Sequence, residues 1–362
     1  MLDSSLGRPV YPVGAYSLSG LTCSEGTIGV PETLLSLDTV QGYLLQIDPA
    51  TGNTTILNPR QVSDFQGATG LAVGQGRLWL AREQQVWVSD LATGGTGHDW
   101  VLKAVTHLPY TVDDVAVWEQ TLYVSCKKAG RIFVYDVDSG ERITQFALPG
   151  IGATKLSVTG DILWLCDEIE QTVYALDRAT GEVLVNVLTP YASPTGVWAA
   201  AETTTAGGAV WLTYAFDEPY VRDNPNQPEF PFELTFRDRT FLHCMHFTRQ
   251  DKVALSTGYK VEMIYAEELE PLDDVALKDA RWQMAFPANT PRQKRLSVEP
   301  IGRPFNTIQI NDQEVAEFTF DALEPNERHL FGWRAVLEVR GIKHQLLPSQ
   351  TGDVRWAPEH QR

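Results

Sequence analysis

The stretch Ile162-Leu-Trp-Leu-Cys-Asp-Glu-Ile-Glu-Gln-Thr-Val-Tyr-Ala-Leu-Asp-Arg-Ala-Thr-Gly-Glu-Val183 reads as two β-strands closed by a tight turn. An apolar, aromatic-centred run, Leu163-Trp-Leu165, is followed by Val173-Tyr-Ala-Leu176 and then by Asp177-Arg-Ala-Thr-Gly181. Asp at a strand end can bond the backbone two residues on, and Gly four residues later takes a positive φ at no steric cost. Outward from this stretch the pattern repeats. The turn recurs as Asp48-Pro-Ala-Thr-Gly52, Asp90-Leu-Ala-Thr-Gly94 and Asp136-Val-Asp-Ser-Gly140, with Asp-to-Asp spacings of 42, 46 and 41. The aromatic motif recurs as Leu34-Leu-Ser36, Leu78-Trp-Leu80, Leu122-Tyr-Val124 and Val210-Trp-Leu212, its centres 44, 44, 41 and 47 apart across the series.

A third strand precedes the motif in several copies, as in Gly70–Val73, Val115–Val117 and Gly196–Trp198, and a fourth, Val183–Val187, follows the turn. Four short antiparallel strands in roughly 40–45 residues are the unit of a β-propeller blade. Five copies lie between Leu21 and Phe247. Residues 1–20 are expected to help complete one blade, and a sixth blade stays open. The fifth copy is irregular, with a Pro-rich excursion from Asp217 to Phe232 in place of its turn.

From Thr257 the repeat gives way to period-two strands. Tyr259, Val261, Met263 and Tyr265 form one apolar series, Trp282, Met284 and Phe286 a second, and Phe331, Trp333, Ala335, Leu337 and Val339 a third. One-sided strands of this kind imply an antiparallel sandwich. Glu267–Asp274 and Gly302–Asp312 read as its loops. The expected fold is therefore all-β: a β-propeller of five or six four-stranded blades over residues 1–255, an Ig-like β-sandwich over 256–347, and a tail over 348–362.

The chain has 362 residues, with 29 Lys and Arg against 46 Asp and Glu, a net charge of −17. Neither half offers phosphates a basic face, so nucleic acid and anionic membrane are not expected partners. No signal-like apolar core opens the sequence, and no run nears the roughly 18 apolar residues that span a bilayer. The expectation is a soluble, cytoplasmic protein, its oligomeric state left open. Cys23, Cys126, Cys166 and Cys244 stand far apart without a CxxC pair and read as reduced thiols, two of them inside apolar strands.

Several phrases resemble bacterial proteins that place a propeller before a transglutaminase-like domain. These are Gly42–Pro49, Glu170–Val183, Glu218–Asn226, Arg237–Thr240, Gly258–Leu269 and Arg292–Lys294. Pro287–Phe320 with Phe331-Gly-Trp333 resembles the β-sandwich that precedes the catalytic domain in that family. The resemblance implies a Cys-His-Asp triad after the sandwich, its Cys in a Gly-Ser-Cys-Gly type motif. The sequence given carries no cysteine after Cys244 and no such motif, with only His329, His344 and His360 among later histidines. No catalytic residue carries over.

Other site candidates each have a plain structural reading. His243-Cys-Met-His246 looks like a soft metal box, yet residues three apart on a strand face opposite ways. Asp113-Asp114, Asp167-Glu168 with Glu170, and Asp217-Glu218 with Asp223 suit Ca²⁺ or acid–base work, or simply solubilise loops. Glu218, Arg222, Asp223, Arg237, Asp238 and Arg239 form the most unusual charged group. They are candidate contacts to a partner, or pin the long excursion in place. Trp79, Trp164 and Trp211 recur at the blade period and read as packing, and Gly150–Gly152 lacks a phosphate-loop context. No catalytic residue, cofactor or metal is assigned.

The reading that results is a non-catalytic module or scaffold that binds a protein or peptide. One alternative is the substrate-positioning front part of a transglutaminase-like cysteine enzyme. The other is a propeller lyase resembling streptogramin lyase, which would need a His and a carboxylate converging near the central funnel with a metal, whereas His98 and His107 fall together in one irregular blade connection.

Overall fold

The computed structural model describes residues 8–23, 33–92, 99–221, 234–250, 252–269, 276–325 and 327–345, with side chains at 217–221 and 234–238 excepted. It divides into two compact units. The larger begins with β1 (Leu18–Cys23), β2 (Leu34–Asp38), β3 (Tyr43–Ile47) and β4 (Thr54–Ile56), hydrogen-bonded in that order. A short helix, α1 (Val62–Phe65), leads to β5 (Ala68–Gly74), β6 (Arg77–Arg82), β7 (Gln85–Asp90) and β8 (Lys103–His107). The third sheet holds β9 (Asp114–Trp118), β10 (Thr121–Cys126), β11 (Arg131–Asp136) and β12 (Arg142–Ala147). The fourth holds β13 (Ala153–Thr159), β14 (Ile162–Asp167), β15 (Thr172–Asp177) and β16 (Val183–Leu188). The fifth starts with β17 (Pro194–Ala199), β18 (Gly207–Val221), β19 (Leu234–Gln250) and β20 (Val253–Ser256).

The first strand of each sheet lies innermost, beside its counterparts, and β1 neighbours both β5 and β17. The ring closes on itself. Hydroxyls stitch the seams: Thr195 Oγ1 donates to Leu18 O at 2.7 Å, Ser19 Oγ to Thr69 O at 2.8 Å, and Thr69 Oγ1 to Val112 O at 2.7 Å. The larger unit is a β-propeller with five blades among the described residues.

Burial follows from stacking sheets face to face. The second strand of a blade is covered on both sides, so Trp79, Trp164 and Trp211 are buried, whereas the rim strands β8 and β12 are mostly exposed. The recurrent turns form as their chemistry requires. Asp177 Oδ1 accepts the N–H groups of Ala179 at 3.0 Å and Thr180 at 2.8 Å, and Gly181 N–H donates to Asp177 O at 2.8 Å with φ +76°. Asp48 and Asp136 repeat this bracket, and these bonds hold all three carboxyls below their ordinary pKa. In the copy at Asp90, residues 93–98 lie outside the described residues.

The fifth blade departs from the others: of its expected excursion, residues 217–221 are strand, and 222–232 lie outside the described residues. β18 and β19 continue as one paired ladder as far as Val221↔Leu234. Residues near the N-terminus add a single bridge to this blade, Val10↔Leu242, on the edge of β19 that β20 leaves uncovered.

The second unit holds two three-stranded antiparallel sheets. One contains β21 (Tyr259–Leu269), β23 (Gln293–Ile301) and, between them, β26 (His329–Val339); the other contains β22 (Leu277–Ala285), β24 (Asn306–Ile310) and, between them, β25 (Gln313–Leu323). Met284, Phe286, Phe318, Phe331 and Trp333 fill the core of this sandwich. Two expectations need correction. Glu267–Leu269 belongs to β21 and Asn306–Ile310 is a strand, so neither stretch is wholly loop. Met263 and Tyr265 stay more than two-fifths exposed, at 44% and 43%, because β21 is an edge strand covered on one side only. A last strand, β27 (Ile342–His344), pairs with β20 and so joins the propeller's fifth sheet. Residues 346–362 lie outside the described residues.

Candidate functional site

The five inner strands surround a channel, and their sequences align in layers. The first layer is Ser19, Thr69, Asp113, Thr154 and Thr195; the second is Gly20, Gly70, Asp114, Lys155 and Gly196. The three glycines of the second layer lie in tight contact with their neighbours, and Gly70 leaves the space that the Asp114 side chain takes. A Cβ on Gly70 would run into the Asp114 carboxylate, and one on Gly196 would meet the Gly20 carbonyl carbon at 2.7 Å. Lys155 spans the gap: its ammonium donates to Thr69 O at 2.6 Å and Asp113 O at 3.1 Å.

Asp114 is fully buried. Its Oδ2 accepts Leu156 N–H at 2.7 Å and its Oδ1 accepts its neighbour Val115 N–H at 2.9 Å. Burial raises its pKa to about 7, against the pull of Lys155 and of those two N–H groups. This end of the channel is thus narrow, polar and internally bonded.

Beyond these layers the channel widens into a cavity of about 510 Å³. All five inner strands contribute to its walls, among them Leu71, Val73, Val117, Val158 and the flanking Trp118 and Trp198. Both indoles are partly buried. Such a concave, mostly apolar site with a few polar groups suits an apolar or aromatic side chain.

The sequence candidates are distributed elsewhere. Glu218, Arg237 and Asp238 lie on the extended β18–β19 ladder, where Glu218 is opposite Arg237 in register. Arg222 and Asp223 lie outside the described residues. Arg239 is built into an aromatic cluster: its guanidinium donates to Tyr11 Oη and lies 5.4 Å from the Tyr11 ring and 5.7 Å from the Phe241 ring. Asp113 accepts Lys127 N–H at 2.5 Å, and Glu168 pairs with the Lys127 ammonium at 3.0 Å. Asp167 brackets a turn through Gly152, Ile169 and Glu170 N–H groups, while Glu170 takes the Tyr174 hydroxyl.

His243 is buried edge-on to Tyr191 at 5.2 Å, whereas His246 is exposed beside Cys244 at 3.8 Å. Among the described residues, no group of three or more His, Cys, Asp or Glu is placed to hold a metal. His107 is exposed on the rim strand β8, and His98 lies outside the described residues. The four cysteines form no disulfide, and Cys23, Cys126 and Cys166 are buried. Burial raises the Cys126 thiol, raises Cys166 strongly, and pushes Cys244 up to about 12.

Lys155 and the lining residues Trp118 and Trp198 escaped the sequence reading. The available signal was the alignment of Ser-Gly, Thr-Gly, Asp-Asp, Thr-Lys and Thr-Gly at the starts of the inner strands.

No protein-family model matches the chain, and no curated protein matches it. Among solved structures, the chain is similar to a crystal structure of a nidogen/laminin complex, with TM-score 0.38 and 12% identity over 52% of this chain and 70% of that one. It is also similar to the crystal structure of Myxococcus xanthus glutaminyl cyclase, with TM-score 0.42 and 15% identity over 65% of this chain and 95% of that one. The closed ring of sheets, rather than either likeness, carries the fold assignment. No helix among the described residues is long and apolar enough to cross a membrane.

Proposed function

We propose that the chain is a non-catalytic binding module whose propeller receives an apolar or aromatic side chain of a protein or peptide in the wide end of the channel. The observation that carries this reading is the 510 Å³ cavity, walled by all five inner strands and flanked by Trp118 and Trp198. Apolar walls give affinity without directional chemistry, and indoles add area at small entropic cost. The raised thiols of Cys126, Cys166 and Cys244 also disfavour a thiolate nucleophile in this part of the protein.

The test is fluorescence anisotropy with labelled hexapeptides that share one frame and carry Trp, Leu, Lys or Glu at the centre. Trp and Leu peptides should bind at least tenfold more tightly than Lys and Glu peptides. Val158→Arg should remove that preference. Equal affinity across the panel, or an unchanged preference in the variant, would overturn the reading.

The sequence phrases favour a finer version, in which both units form the partner- or substrate-holding front of a transglutaminase-like protein. Intact mass of the protein from its own cells tests this. A mass exceeding that of 362 residues by a domain with a Cys-His-Asp triad supports it; a mass equal to that of the given sequence counts against it.

A further inference from the structure

The sandwich contains a cavity of its own, of about 400 Å³. It opens at one end of the unit, where β21 finishes at Leu269, β22 starts at Leu277, β25 finishes at Leu323 and β26 starts at His329. Both sheets supply its walls, so it is a gap between layers rather than a surface groove. The rest of the interlayer space is filled by Phe286, Phe318, Phe331 and Trp333. Around this gap, large apolar side chains stay wet: Leu277 is 41% and Trp282 39% exposed. Volume and lining fall within the ordinary range for small-ligand pockets.

The rim sets the sign of the ligand. Two acidic residues, Glu324 and Glu327, are among its lining residues, with one arginine, Arg281, and His329 at the start of β26. Glu327 is already committed: one oxygen faces His329 Nε2 at 3.2 Å and accepts Glu324 N–H at 3.2 Å, which fixes the rim's shape. Glu324 supplies the second carboxylate. The Phe320 face already carries the Arg303 guanidinium, 4.5 Å from its ring, so a ligand cation would rest on the acidic side chains. We propose that the open end of the sandwich binds one small apolar molecule bearing a cationic amine, its apolar body between the sheets and its ammonium at Glu324.

Isothermal titration calorimetry of the full chain with octylamine, octanol and octanoate tests this. Octylamine should bind with one-to-one stoichiometry and at least tenfold more tightly than octanoate, with octanol between them. In the indole N–H region of the NMR spectrum, the Trp282 signal should move and those of Trp118 and Trp198 should not. Glu324→Gln should reduce the amine-to-acid ratio to under threefold while octanol affinity holds. Ala280→Trp, which fills the gap, should abolish binding of all three; should that variant not fold, Glu324→Gln and the Trp282 signal still decide. Absence of saturable binding, an acid bound as tightly as the amine, an unchanged ratio in Glu324→Gln, or movement at Trp118 and Trp198 instead would each overturn the proposal.

Discussion

The Lys155 ammonium, carried on the fourth blade, donates to the carbonyl of Thr69 on the second blade at 2.6 Å. One side chain therefore ties together blades that are not neighbours, across the axis of the propeller. A second bond to Asp113 O at 3.1 Å includes the blade between them.

Removing that tie leaves two inward carbonyls and the buried Asp114 without their cation. Lys155→Met is expected to destabilise the propeller by about 1.5–3 kcal/mol, the range for hydrogen bonds to a charged group. Urea unfolding followed by circular dichroism measures it. A midpoint unchanged from that of the parent would show that Lys155 holds nothing together.

Asp114 makes stability depend on pH with an unusual sign for an aspartate. Its pKa is about 7 in the fold, against an ordinary 3.8. The folded state therefore holds a proton that the unfolded state releases, and between pH 4 and 7 stability falls as pH rises. The contribution is complete below pH 4 and lost above pH 7, and its size is on the order of 4 kcal/mol at 1.36 kcal/mol per unit. Asp48, Asp136 and Asp177 act the opposite way, but only where they titrate, below about pH 4. Asp114→Asn should flatten the stability profile between pH 4 and 7. A mutant profile parallel to that of the parent would contradict the assignment.

The glycines of the channel are expected to differ sharply from those of the turns. Gly70→Ala forces a methyl into the Asp114 carboxylate and should cost about 3 kcal/mol or more, as overpacking does at a rigid site. Gly160 has φ +58° and nothing within 4 Å of the place a methyl would take, so Gly160→Ala should cost only about 1 kcal/mol for its backbone. Thermal melts of the two variants, compared at equal pH, distinguish them; equal losses would contradict the layered channel.

Thiol chemistry gives an independent check on the core. With Cys126, Cys166 and Cys244 all held protonated by burial, iodoacetamide at pH 8 should leave these three essentially unlabelled in the native protein and label them in urea. Peptide mass mapping reads the result. Rapid native labelling of Cys166 would mean that the fourth blade opens.

The blades were legible because their signals are local. Asp177 and Gly181 make their turn within five residues, and Trp79 and Trp164 mark the doubly covered strand by composition alone. Lys155 was not legible from its neighbours, because what gives it a role is the pair of carbonyls, Thr69 O and Asp113 O, brought to it by two other blades. The apolar series Tyr259–Tyr265 misled for a related reason. Alternation predicts a buried face only when something covers it, and β21 lies at the edge of its sheet. Asn306–Ile310 was missed as a strand because five residues between turns give too short a pattern to register. Of the six charged candidates, Arg239 proved to be bound within the Tyr11–Phe241 cluster, through a contact with Tyr11 more than 200 positions away. No periodicity encodes such a contact.

The proposed function places a partner side chain in the wide end of the channel. Its most direct test is the indole N–H region of the NMR spectrum during titration with the Trp-centred hexapeptide. Saturable movement of the Trp118 and Trp198 signals is expected, with those of Trp79 and Trp164 in the blade cores unchanged. Binding that leaves Trp118 and Trp198 unmoved, or no binding at all, would contradict it.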